Sequence, residues 1–282
     1  MKSKHRLYFL SSLTLTLLLT GLRTACFLTS YETNVGYLAN TPTVFITRLM
    51  YILATAWCLA APLLLPNDTT RQATSGIAQS ICTTSAGALL LFSGICLLIG
   101  SLAKAPSIFS FAPVLRPILG ISASLSSIFF FAGGSTSSKK KKPHTAFGFA
   151  LLIFLFALLL YSYFNMYVAI NSPIKNALQL SILCAMIFTL CEIRESIGRP
   201  RLRISPAVKL LCALFCLPTA ISHLIFERSS LCSALEKDLL SPFFALALLS
   251  IGIFALATFP LKKEMEKSEK KSPKPLDKTK EA

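Results

Sequence analysis

Eight stretches of the 282-residue chain are each long and apolar enough to cross a bilayer, and this constrains the fold more than any other feature of the sequence. A spanning helix needs roughly 20 predominantly apolar residues to cover about 30 Å of hydrocarbon at 1.5 Å per residue. The stretches fall at about 7–28, 43–64, 77–102, 108–131, 146–168, 174–191, 206–226 and 239–259. They are apolar on all sides rather than alternating, which excludes the strands of a membrane barrel. Charged residues make up 14% of the chain and mean hydropathy is +0.65, against about 25% charged in a soluble domain. The expected fold class is therefore all-α, a polytopic transmembrane helical bundle of about eight spans.

The distribution of Lys and Arg sets the expected orientation. With the N-terminus and C-terminus cytoplasmic, 20 of the 28 basic residues lie in inside segments, four in outside loops and four within spans. Cytoplasmic loops carry this excess because cationic loops resist translocation. The inside segments net +12 and the outer loops net zero, so the overall +16 is topogenic charge facing anionic lipid and requires no nucleic acid. The first apolar run competes with a secretory signal peptide. However, Arg23 precedes Thr24-Ala25-Cys26 where a lipoprotein signal wants Leu, so an uncleaved first helix is expected.

Domain organisation follows composition. A transmembrane helical domain over 1–260 divides into spans one to four (1–133), a basic cytoplasmic linker (134–145) and spans five to eight (146–260), followed by a disordered Lys-rich cytoplasmic tail (261–282). The linker reading rests on Gly133 to Ser138 followed by Lys139 to Lys142, a flexible segment ending in four like charges. The tail has too few apolar residues to bury a core. Pro106, Pro113 and Arg116-Pro117 weaken the fourth span, which reads either as a kinked helix or as an interfacial segment over 105–115 feeding a short span over 116–132.

The usual enzyme signatures are absent: there is no phosphate-binding G-x-x-x-x-G-K-[ST], no H-E-x-x-H, no G-x-S-x-G and no dinucleotide fingerprint. No Asp or Glu falls mid-span, which removes the usual coupling residue of proton- or sodium-driven carriers. No cofactor or metal is called for. Among the cysteines, Cys212 and Cys216 share a helical face, but two ligands do not make a zinc site. Cys26 and Cys232 fall near the outer side, where a disulfide would be chemically permitted.

The remaining polar residues gather towards the outer ends of the expected spans. Arg23, Arg48, Arg116 and Lys175 are candidate anion-binding residues; Asn165, Asn171, Gln179 and His223 are candidate polar interhelical residues. An Arg at the bilayer centre costs about 2.5–3.5 kcal/mol on translocon scales, so several at one level invite a common explanation such as a carboxylate, phosphate or lipid headgroup site. The competing explanation is snorkelling of separate anchors to the headgroup layer.

The stretch Met166 to Lys175, continuing through Cys191-Glu192-Ile193-Arg194 to Gly198-Arg199-Pro200-Arg201, resembles one in uncharacterised multi-pass membrane proteins of anaerobic Gram-positive bacteria, and Gly21-Leu22-Arg23 is similar to their opening. The resemblance implies a bacterial plasma membrane and directs interest to Asn171, Pro173, Lys175 and Glu192, with no activity attached. Two functions remain open on the sequence. One is a multi-pass protein that binds or transports a small anion or lipid headgroup. The other is a non-catalytic scaffold or regulatory subunit that engages a membrane-protein partner through its basic cytoplasmic loop and tail.

Overall fold

A computed structural model describes residues 2–32, 36–64, 77–103, 112–134, 144–165, 168–169, 171–197, 203–232, 237 and 239–259. The expected linker lysines Lys139 to Lys142, the tail over 261–282 and Arg199 and Arg201 lie outside these residues.

The chain is a bundle of α-helices: α1 (Lys2–Thr29), α2 (Pro42–Leu59), the single turn α3 (Ala61–Leu64), α4 (Ile77–Ala103), α5 (Ala112–Gly134), α6 (His144–Phe164), α7 (Pro173–Ser196), α8 (Ser205–Glu227) and α9 (Pro242–Ala257). Between α1 and α2, β1 (Tyr31–Glu32) and β2 (Tyr37–Leu38) pair antiparallel, Tyr31 opposite Leu38. Gly36 sits there at φ 72°, in the left-handed region a Cβ disfavours.

Among the described residues, seven helical segments are long and apolar enough to cross a bilayer. The expected eighth span is shorter. Pro242 opens α9, which runs 16 residues, or about 24 Å at 1.5 Å per residue. Apolar around its circumference, α9 packs inside the bundle against α4, α7 and α8. Phe254 is its hub, meeting Phe130 edge-on at 4.3 Å and Phe188 at 5.9 Å between centroids.

Hydrophobicity drives helices into the bilayer but does not discriminate between neighbours, so close approach depends on small residues. The antiparallel α4–α5 pair shows this: Gly87 lies against Phe130 and Phe131, Gly94 against Ser124, and Gly120 against Leu98. A Cβ on Gly94 would stand 2.7 Å from the Ser124 backbone nitrogen, and one on Gly120 would stand 2.9 Å from that of Leu98. α5 starts before Arg116-Pro117 and continues through Pro117 as one helix from Ala112, while residues 105–111 of the alternative interfacial segment lie outside the described residues.

α1 and α2 form a flanking pair on α8. Tyr8 stacks on Trp57 with ring centroids 4.9 Å apart and its hydroxyl donates to the Trp57 carbonyl, while Leu19, Ala54, Cys58, Leu210 and Leu214 build a second core. The outward faces are apolar: Phe45 and Ile52 on α2, Ile99 on α4 and Ile187 on α7 are all more than half exposed. In water these side chains would be a liability; in lipid they are the expected contact surface.

Candidate functional site

Helix directions bring the predicted outer cations to one end of the bundle. α1 and α8 run parallel, Arg23 beside Ser222 and Phe27 beside Phe226; α2, α5 and α7 begin at that end and α6 finishes there. Their environments differ. Arg48 is exposed on α2. Arg116 donates to Tyr161 Oη at 3.1 Å and lies 5.9 Å from that ring's centroid. Lys175, only 1% exposed, donates to the carbonyls of Asn165 at 2.9 Å and Tyr163 at 3.2 Å, closing the C-terminus of α6, where the helix dipole favours a cation. Asn165 Oδ1 accepts from the Val168 amide, Asn171 is exposed and Gln179 is half-buried.

Arg23 is different. Its Nε donates to Ser222 Oγ at 3.0 Å and its guanidinium carbon lies 5.0 Å from the Phe27 ring centroid. The His223 ring stands edge-on to the same Phe27 ring, centroids 6.2 Å apart, within electrostatic reach of Arg23. From α2, Tyr51 Oη faces the guanidinium without an aligned hydrogen bond, its ring stacked on Phe215. Arg23 Nη2, Tyr51 Oη and His223 Nε2 are all buried; Arg23 and Tyr51 interact with each other, and none of the three atoms has an aligned hydrogen-bond partner. Such groups are costly in a dry interior, and three on three adjoining helices form an incompletely satisfied donor cluster. The structure thus joins Arg23 and His223, which the sequence singled out separately. It adds Tyr51 and Ser222, which the sequence reading missed because one reads as an ordinary aromatic and the other as a small polar residue in an apolar run.

A second buried charge network lies at the opposite end, contrary to the expectation that polar groups gather on the outer side. α7 continues past Cys191 to Ser196, so Glu192 and Glu195 are helical rather than part of a solvated loop. Lys209 on α8, 1% exposed, pairs with Glu192 Oε1 at 2.5 Å, has Glu195 Oε2 at 3.8 Å, and donates to the Thr258 carbonyl at the C-terminus of α9 at 3.1 Å. Ser205 Oγ donates to Glu195 Oε1 at 2.7 Å. Cys26, at the other end, is a free thiol 3.1 Å from Thr47 Oγ1.

These features define an integral multi-pass helical membrane protein with a polar cluster buried at each end. No protein-family model, curated protein or solved structure matches the chain.

Proposed function

We propose that the protein binds an anionic group, a carboxylate, a phosphate or a lipid headgroup that carries one, at the Arg23 cluster, as a binding or transport protein of a bacterial plasma membrane. One observation carries the reading: Arg23 Nη2, Tyr51 Oη and His223 Nε2 are buried without aligned hydrogen bonds on α1, α2 and α8, with Arg23 held by Ser222 and Phe27. A guanidinium with a neighbouring phenol and imidazole is a donor set suited to oxygen anions, and the low dielectric strengthens each charge-assisted bond. The basic bias of the expected inside segments supports the orientation, with Arg23 towards the outer face.

The test is thermal unfolding of the purified protein in detergent against phosphate, short carboxylates and soluble lipid headgroups, beside Arg23→Gln. An anion at about 100 times its Kd stabilises by about 2.7 kcal/mol, a readily measured shift. The reading expects one class to stabilise the native protein and to lose that effect in Arg23→Gln while Arg48→Gln keeps it. Equal response of all three proteins to every anion contradicts it.

A further inference from the structure

One face of α8 is polar along almost its whole length. Ser205, Lys209, Cys212, Cys216, Thr219 and His223 recur at spacings of four, three, four, three and four residues, which places them on a single stripe, and none is more than 2% exposed. Short contacts link the stripe from Cys212 to Arg23, and Glu192 lies within electrostatic reach of Cys212. Lys209 pairs with Glu192; Cys212 Sγ lies 3.9 Å from Cys216 Sγ; Cys216 Sγ is 3.6 Å from the Ser181 carbonyl. Ser181 Oγ lies 2.9 Å from Thr219 Oγ1, and Ser222, 3.2 Å from the Thr219 carbonyl, accepts from Arg23. The file therefore runs from the ion pair at one end to the candidate anion site at the other.

Interhelical bonding needs one or two such contacts, and apolar packing would hold α8 at least as firmly as a buried ion pair does. A file from end to end is a different arrangement. Its members between Lys209 and Arg23 are thiols, hydroxyls and an imidazole, all able to donate to an anion, with no carboxylate among them. Pro218 lies beside Thr219 and withdraws the amide that would bond the Leu214 carbonyl, which loosens α8 midway along the file.

We propose that this face of α8 lines the route by which the anion held at Arg23 crosses the bilayer, with the Lys209–Glu192 pair closing the far end. The proposal rests on the anion-binding reading. When the pair opens, the Lys209 ammonium exchanges a carboxylate partner for the arriving anion while Glu192, at the end of α7, turns to water. Glu195 and the Thr258 carbonyl hold the closed arrangement.

Cys212 and Cys216 are native reporters on the file, and Cys58, buried between α1 and α2, is the control off it. The protein is treated with a small water-soluble methanethiosulfonate and each thiol is quantified by peptide mass mapping, in the native chain and in Lys209→Met/Glu192→Gln, which removes both members of the pair and leaves Glu195 its hydrogen bond from Ser205. Cys212 is expected to be modified at least tenfold faster in the double variant, with Cys58 unchanged. In the native chain Cys212 and Cys216 are expected to react before Cys58, a measurement that serves even where the variant does not fold. Cys212 reacting no faster than Cys58 in both proteins overturns the proposal. No anion is used, so this failure is separate from failure of the Arg23 site in thermal unfolding. Stabilisation at Arg23 with an inert Cys212 leaves a binding site without a route.

Discussion

Lys209 and Arg23 show how the same cost is met in two ways. Lys209 is buried and Arg23 half-buried in the bundle, but Lys209 is paired with Glu192 and hydrogen-bonded to Thr258, whereas Arg23 Nη2 is a buried nitrogen without an aligned hydrogen bond. Removing one member of a buried pair leaves an isolated charge, so Lys209→Met is expected to destabilise by roughly 3–5 kcal/mol, whereas Lys209→Met/Glu192→Gln recovers most of the loss. Denaturation of the two variants in the same detergent checks this; equal losses would show that the pair is not coupled. Much of the residue-scale detail was beyond sequence reading. Arg23 and His223 were identified separately, but nothing in their spacing says that α1 and α8 run parallel and adjacent. The sequence does not join Lys209 to Glu192, because Lys209 is only one of the four cations within spans and the sixth span is expected to stop at Cys191, one residue before the carboxylate that completes the pair.

At the scale of elements, composition decides which segments are helices and small residues decide which helices meet. The α4–α5 contact depends on Gly94 and Gly120, where added side chains meet backbone and Leu98 at under 3 Å, whereas Gly100 on the same helix has nothing within 4 Å. Gly120→Leu is therefore expected to cost at least about 1–3 kcal/mol by overpacking and Gly100→Leu close to nothing, read as the difference in melting temperature. Comparable losses would mean that the α4–α5 approach is not set by these glycines. The spans themselves were legible because a run of apolar residues has one solution in lipid. The exception is α9, where Pro242 moves the helix start inward and neighbouring helices shield the shorter segment; neither effect is visible in hydropathy alone. The polar stripe of α8 is present in the sequence as a three-four spacing, of which Cys212 and Cys216 stand out as a pair and His223 as a separate polar residue.

For the whole molecule, the antiparallel and parallel pairings place Arg23, Arg48, Arg116 and Lys175 at one end and the Lys209 network at the other. The charge bias of the sequence predicts the orientation of that axis, with the Lys209 end expected towards the cytoplasm. Arg48 and Arg203 are both exposed, at opposite ends. In intact cells, Arg48→Cys is expected to react with an impermeant thiol reagent and Arg203→Cys only after permeabilisation; the reverse pattern would invert the molecule and put the Arg23 cluster on the inner face. The most direct test of the account is native mass spectrometry of the protein released gently from its membrane. The account predicts a single bound adduct bearing a carboxylate or phosphate, retained in Arg48→Gln and lost in Arg23→Gln. An adduct that persists in Arg23→Gln, or bare protein in every sample, would contradict it.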